Sequence, residues 1–436
     1  MSSFLIGVLS LAAVSSVSEA KNYNSSKPFG PLKFQRDGTF QISIFEDLHF
    51  GENAWDQWGP QQDVNSVKVI NSILDDESPD LVVLNGDLIT GENGYLENAT
   101  VYVDQIVDPM VRRGLTWAST YGNHDYQYNI SGAKILEREH RWPNSRTKSM
   151  VDGDEVGTSN YYLPVYDTDC ADESACTPEL LLWFFDSRGG HRYQVKDDDG
   201  EVLVNPNWVH EDVATWWYDT SAQLTARHGR PIPSLVFVHI PVYATVAIQR
   251  HEGLDPHKEP GVNDDVPVSP QAQGYCTDGV NNGTCDYGGQ DLPFMRAAVS
   301  IPGVLAVFSG HDHGDTWCAK WDSLLPDMWV QGNGLNLCFG QHSGYGGYGD
   351  WERGARQVLV TKEMLGRLDS ENGTAAPSSW EAETWIRLES GNIVGSISLN
   401  STYGQDHYPA TNSTFSSCPT CNWTVISPMP GTQVRK

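Results

Sequence analysis

Apolar runs of five or six residues recur along the chain, and each halts at a small polar cluster. Gln41–Phe45 stops short of Asp47, Asp80–Asn85 runs into Gly86-Asp87, and Leu115–Thr120 precedes Gly122. Ser234–Val238 precedes His239, and Val304–Ser309 precedes Gly310. Short unbroken runs rich in Val, Ile and Leu predict strands covered on both faces. Between them the period changes. Val64, Val67, Ile70 and Leu74 are spaced for one face of a helix over residues 63–74. Val213, Trp216, Trp217 and Leu224 do the same over 212–226. Strands alternating with helices predict an α/β protein, in which ligands sit beyond the carboxyl ends of the strands. All five polar clusters are therefore expected on one rim. Trp385–Leu388 and Ile393–Ile397 flank Glu389-Ser390-Gly391-Asn392, a hairpin pattern. Residues 152–176, 251–290 and 318–348 are expected to be long loops. The second of these follows His239 directly and is placed to select substrate.

The clusters are Asp47-Leu48-His49, Gly86-Asp87, Gly122-Asn123-His124-Asp125, His239 and Gly310-His311-Asp312-His313. Carboxylate, amide and imidazole ligands suit zinc, manganese or iron, and no Cys stands among them. A lone Asp-x-His or His-x-His arises by chance. Five clusters in order, each after an apolar run, specify a site. Glycines beside Asp87, Asn123 and His311 permit the tight turns such a rim needs. Two cations about 3.5–4 Å apart clamp a phosphoryl group and lower the pKa of a bound water toward roughly 7. Asp87, the lone acid at its strand end, is expected to bridge them. Asp47, His49 and His313 would complete one metal, and Asn123, His239 and His311 the other. His124 is placed to protonate the leaving oxygen, a contribution of about 10²–10⁴-fold. His191, His210, His228, His257 and His342 are expected to be ordinary solvated side chains. Trp55 and Trp58 suit the substrate pocket or the core. Gly344–Gly349 lacks the Lys and the strand–helix setting of a P-loop and predicts a bent connection. Arg353 and Arg356 are candidates to meet phosphate or to lie in solvent.

On these motifs the chain resembles the calcineurin-like metallophosphoesterase superfamily, and within it the secreted purple-acid-phosphatase-related enzymes of fungi and plants. The likeness runs from Phe40 to Ser398 and includes Ser159–Pro164, Phe185-Asp186-Ser187 and the segment from Leu337 to Arg356. It implies a four-layer β-sandwich flanked by helices, a dinuclear centre and hydrolysis of phosphomonoesters. It also implies ligand roles for Asp47, His49, Asp87, Asn123, His239, His311 and His313, and a proton-donor role for His124. Two departures stand out. Purple acid phosphatases proper carry Asp-x-Gly at the first motif and an iron-binding Tyr after the second. Here Asp47-Leu48-His49 and Gly86-Asp87-Leu88-Ile89-Thr90 occupy those places, so no charge-transfer colour is expected. Protein serine/threonine phosphatases carry Asp-Arg-Gly after the second motif. That is absent here, and with it the acid that orients the donor His.

The 436 residues carry a formal net charge of −28. Such an acidic surface repels nucleic acid and anionic membranes, so neither is expected as a partner. The apolar stretch Phe4–Val14 is too short to span a bilayer, and Ser18 and Ala20 suit signal-peptidase cleavage. Residues 1–20 therefore read as a signal peptide, 21–33 as an arm, 34–400 as the metallophosphoesterase domain and 401–436 as a polar, poorly ordered tail. Sequons at Asn24, Asn98, Asn129, Asn282, Asn372, Asn400, Asn412 and Asn422 predict N-glycans. Eight cysteines predict disulfides in an oxidising compartment. Close spacing suggests Cys170–Cys176, Cys276–Cys285, Cys318–Cys338 and Cys418–Cys421. The expectation is a phosphatase secreted to the extracellular space, cell wall or vacuole. It would use two metal ions (Fe, Zn or Mn) to hydrolyse a small phosphomonoester by attack of a metal-bound hydroxide, with His124 as general acid. A phosphodiesterase with the same centre and a catalytically silent extracellular binding protein are the alternatives.

Overall fold

Every residue of Leu180–Phe185 is apolar, and both faces of this strand are covered. Leu180, Leu182 and Phe184 point to one hydrophobic core, while Leu181, Trp183 and Phe185 point to another. Side chains alternate along a strand, so a strand buried between two layers must be apolar throughout. The same division governs Ser234–Val238, where Leu235 and Phe237 face one core and Val236 and Val238 the other.

The computed structural model describes residues 29–56, 58–281, 284–366 and 380–416. Strands are numbered in chain order. One seven-stranded sheet runs β1 (Leu32–Lys33), β5 (Tyr161–Tyr166), β6 (Leu180–Phe185), β9 (Ser234–Val238), β10 (Val304–Ser309), β12 (Leu335–Phe339) and β11 (Cys318–Trp321). The second, six-stranded, runs β15 (Ile393–Leu399), β14 (Ala382–Leu388), β13 (Gly354–Thr361), β2 (Thr39–Phe45), β3 (Leu81–Asn85) and β4 (Trp117–Thr120). A ribbon of β7 (His191–Lys196) and β8 (Val202–Val204) stands apart. The helices are α1 (Trp58–Asp76), α2 (Tyr102–Arg113), α3 (Gly132–Glu139), α4 (Glu211–His228), α5 (Tyr243–Ala247), α6 (Leu292–Ser300) and α7 (Lys362–Gly366).

The sheets face each other over a core that includes Ile42, Ile44, Val83, Leu182, Phe237 and Phe308. Val69, Ile70 and Ile73 of α1, Ile106 and Met110 of α2 and Ile135 of α3 cover the outer face of the second sheet. Val213 and Trp217 of α4, with Phe294 and Met295 of α6, cover that of the first. Helix, sheet, sheet, helix is the four-layer sandwich expected. Strands β2, β3 and β4 are parallel neighbours joined by α1 and α2, and β9 and β10 are parallel neighbours in the other sheet. Their carboxyl ends share one rim of the sandwich.

Several expectations need correction. The helix foreseen over 63–74 extends from Trp58 to Asp76. The stretches 152–176 and 318–348 are not loops throughout. The first contains β5, and the second contains β11 and β12, paired antiparallel with Cys318 opposite Cys338. Disulfides Cys170–Cys176, Cys276–Cys285 and Cys318–Cys338 are present. Cys418, Cys421, the leader and four of the sequons lie outside the described residues. Of the segment expected to be poorly ordered, residues 402–416 dock on the sandwich. Tyr403 is buried and donates its hydroxyl to the Cys318 carbonyl (2.6 Å), and Phe415 bridges to Trp351. Among the described residues no helix is long and apolar enough to cross a membrane.

Candidate metal centre

Five strand ends supply the candidate residues. Asp47 and His49 follow β2, Asp87 follows β3, and Asn123 and His124 follow β4. His239 follows β9, and His311 and His313 follow β10. Their side chains form three overlapping groups whose ligand atoms lie within 4.8 Å of one another: Asp47, His49 and His313; His49, Asp87 and His124; Asp87, His239 and His311. Asp87 is common to two of them. Asp47 (φ 52°), His49 (48°), Asp87 (47°) and His311 (78°) all hold left-handed backbone. That region is disfavoured for residues with a Cβ, and its occupants concentrate at functional sites.

Hydrogen bonds aim these side chains. The Asp125 carboxylate accepts from Gly122 N–H (2.9 Å) in its own turn and from Leu88 (3.2 Å) and Ile89 (3.0 Å) in the next, locking the second motif to the third. A Cβ on Gly122 would stand 2.3 Å from Asp87 Oδ1, so only glycine lets the two turns close. His239 Nδ1 contacts the Asn85 carbonyl (2.9 Å) and His313 Nδ1 the Tyr348 carbonyl (2.9 Å). A carbonyl only accepts, so each Nδ1 carries the hydrogen and each Nε2 turns inward. Tyr348 stacks on His313 with centroids 4.0 Å apart, and its hydroxyl donates to Asp265. Asp265 and Ser269 lie in the long segment after His239. Through them it is hung on the fifth motif: Gly314 N–H donates to Asp265 and Ser269 N–H to Asp312.

The donor set fits cations. His49 Nε2 is 3.1 Å from His313 Nε2, and His313 Nε2 is 3.5 Å from Asp47 Oδ1. His239 Nε2 is 3.0 Å from Asp87 Oδ2, and His49 Nε2 is 3.8 Å from that same oxygen. Ligands at about 2.0–2.2 Å from a shared tetrahedral ion stand roughly 3.3 Å apart. Asn123 Oδ1 is buried with no protein hydrogen-bond partner, as a ligand atom would be. Charge agrees with geometry. Burial opposes ionisation of Asp87, yet His239 and His124 hold it well below its ordinary range. Burial and the neighbouring His124 push His49 well below its ordinary value, and burial with His239 brings His311 to about 4. Ionised carboxylates and neutral imidazoles are the state metal ligands require. His239 is the exception in the metal-free site, where, against burial, Asp87 and Asp47 raise it to about 10, and a bound cation would displace its Nε2 proton.

Three features differ from the sequence expectation. Arg353 and Arg356 neither meet phosphate nor lie in solvent. Both are buried, and their guanidinium groups donate to backbone carbonyls of Gly344, Trp351 and Gly349, and of Phe339 and Thr316. His342 is buried rather than solvated and packs 3.9 Å from the His313 ring. A carboxylate does face the candidate proton donor, though not from an Asp-Arg-Gly motif: Glu92 Oε1 lies 2.6 Å from His124 Nδ1. It sits five positions beyond Asp87, in a single 3-10 turn (Gly91–Asn93), where no periodicity marks it. The glycine-rich Gly344–Gly349 is the bent connection expected and lies directly over His49 and His313.

Residues 45–315 match the family model described as calcineurin-like phosphoesterase. A relative from Arabidopsis thaliana named probable inactive purple acid phosphatase 28 is 26% identical over 398 residues, covering 84% of this chain and 86% of its own. Phosphatase DCR2 of Saccharomyces cerevisiae is 26% identical over 318 residues, covering 70% of this chain and 48% of its own. Among solved structures, a dimetal phosphatase from Danio rerio aligns over 83% of this chain and 98% of its own, with a TM-score of 0.48 and 13% identity.

Proposed function

This chain belongs to the calcineurin-like phosphoesterase family, and on that basis we propose that it is an exported dinuclear-metal phosphatase acting on small phosphomonoesters. The observation that carries this is the Asp87 carboxylate, shared between a group with His49 and His124 and a group with His239 and His311, while Asn123 Oδ1 is buried and unpartnered. Asp47, His49 and His313 would hold one cation, and Asn123, His239 and His311 the other, with Asp87 common to both. The oxygen and imidazole donors suit Fe, Zn or Mn. When bound, two such cations clamp phosphoryl oxygens and make water a competent nucleophile near neutral pH.

The chain's own residues do the rest. Asp125 holds the Asp87 and Asn123 turns in one fixed relation. The carbonyls of Asn85 and Tyr348 fix which imidazole nitrogen faces inward. His124 hands a proton from Nε2 to the departing oxygen. Since Arg353 and Arg356 are spent on backbone carbonyls, neither can neutralise the substrate's phosphate, and that charge falls to the cations.

Names among the relatives divide between probable inactive phosphatases and a phosphatase. Here the convergence of six of the seven candidate ligands with His124, and the buried, unpartnered amide oxygen of the seventh, Asn123, favour activity. Three disulfides support an oxidising, extracytoplasmic destination. The test is hydrolysis of p-nitrophenyl phosphate against bis(p-nitrophenyl) phosphate by protein purified from the medium of its host. Faster monoester turnover supports the proposal, faster diester turnover replaces it with a phosphodiesterase, and metal-loaded protein inert to both supports a silent binding role.

A further inference from the structure

We propose that Glu92 is the positioning residue for the proton donor, holding His124 by Nδ1 so that Nε2 is the nitrogen presented to the substrate's leaving oxygen. This rests on the phosphatase function proposed above and adds a residue that the family's usual motif does not supply.

Glu92 Oε1 lies 2.6 Å from Nδ1 as an ion-pair contact, without the alignment of a full hydrogen bond in this structure. Nδ1 is shielded from water, while the His124 side chain as a whole keeps 32% of its surface. Its exposed part is therefore the remainder of the ring. One ring nitrogen of His124 lies within 4.8 Å of ligand atoms of Asp87 and His49, so the ring borders both Glu92 and the centre. A carboxylate on one imidazole nitrogen selects the tautomer and orientation of the other, the logic of a catalytic triad's acid.

The turn carrying Glu92 is fastened at every step. Leu88 and Ile89 donate to Asp125. Thr90 N–H donates to the Phe50 carbonyl (2.9 Å), and its hydroxyl meets His49 Nδ1 (3.1 Å). A Cβ on Gly91 would stand 2.2 Å from the Ile130 side chain and 2.8 Å from the His124 carbonyl, so the backbone presses against the donor's own turn. Asn129 donates to the Gly94 carbonyl (2.7 Å). A side chain on a turn this tied has little freedom to miss its partner.

The experiment compares an alkyl monophosphate, whose alkoxide needs a proton to depart, with p-nitrophenyl phosphate, whose phenolate does not. Wild type, Glu92→Ala, Glu92→Gln, His124→Ala and the double variant are assayed, with metal content and thermal midpoint measured for each. Glu92→Ala is expected to lower kcat on the alkyl substrate by about 10²-fold, to change p-nitrophenyl phosphate turnover only slightly, and to keep its metal. Glu92→Gln, which retains an acceptor, should fall between. In the His124→Ala background Glu92→Ala should cost nothing more, since coupled residues are non-additive. Equal losses on both substrates, or a full additional loss in the double variant, would overturn the assignment. If wild type hydrolyses neither substrate, the phosphatase function itself fails and this role with it.

Discussion

Replacing Gly347 by alanine isolates the contact between the glycine-rich connection and the metal centre. Gly347 has φ +75°, and an added Cβ would lie 2.4 Å from His313 Cε1 and 2.8 Å from His49 Cδ2. Carbon atoms rest about 3.5–4.0 Å apart, so these imidazoles must retreat by roughly 1 Å, or the loop must lift. Gly229, the C-cap of α4, has a matching φ of +71° with nothing within 4 Å of its Cβ. Alanine in left-handed backbone costs about 1–2 kcal/mol at either place. Disturbing the groups that orient metal ligands typically costs 10–100-fold in affinity, which at Gly347 alone adds about 1.4–2.7 kcal/mol of lost binding. Urea unfolding of metal-free protein should show Gly347→Ala losing more than Gly229→Ala, by about 1–3 kcal/mol for the clash. Competition with a chelator should show the affinity loss in Gly347→Ala only. Wild-type metal affinity in Gly347→Ala, or an equal loss in Gly229→Ala, would refute the claim that His49 and His313 sit where cations are held.

Buried Glu139 accepts from Trp117 Nε1 (2.9 Å), Tyr121 hydroxyl (3.0 Å), Ser145 hydroxyl (3.2 Å) and Thr147 hydroxyl (2.7 Å). Glu139→Gln turns an NH₂ toward those donors and should cost about 3 kcal/mol by urea unfolding; a loss under about 1 kcal/mol would contradict this. Burial raises Asp291 to about 6, so the folded protein keeps a proton that the unfolded chain releases near pH 4. Its contribution is greatest below about pH 4 and fades as pH climbs through 6, on the order of 3 kcal/mol in all. Urea unfolding across pH 4–7 should show wild type losing its advantage over Asp291→Asn as pH rises, and a gap that widens instead would reverse the sign. Replacing Cys318 and Cys338 together by serine frees a loop with a sequence separation of 20. That should cost about 3 kcal/mol, read as a lower denaturation midpoint under non-reducing conditions, where the other two disulfides stay intact.

How much of this was legible in the sequence depends on which interactions are local. Strands β3, β9 and β10 announce themselves because burial on both faces demands nearly unbroken apolar residues, while β2 and β4 carry Gln41, Ser43, Ser119 and Thr120 among their apolar ones. Their polar ends carry the ligands, so most of the candidate site travels with the fold. Strand β11 is different. Cys318-Ala319-Lys320-Trp321 is short and mixed in polarity, and it is a strand because β12 pairs with it across the Cys318–Cys338 bridge. No local pattern encodes a partner that distant. Arg353 and Arg356 resembled phosphate ligands because a guanidinium suits a phosphate oxygen as well as a carbonyl, and only the packed structure shows which it meets. Glu92 escaped notice for a related reason. Its role is set by a turn pressed against His124 rather than by a motif at fixed spacing from Asp87.

Metal content per chain, measured together with p-nitrophenyl phosphate hydrolysis in wild type and Asp87→Asn, tests the central claim most directly. Wild type is expected to hold close to two ions and to be active, and Asp87→Asn to lose at least one ion along with most activity, since Asp87 is common to two ligand groups. Wild type that binds no metal, or Asp87→Asn that keeps both ions and full activity, would contradict the shared-carboxylate centre on which the account stands.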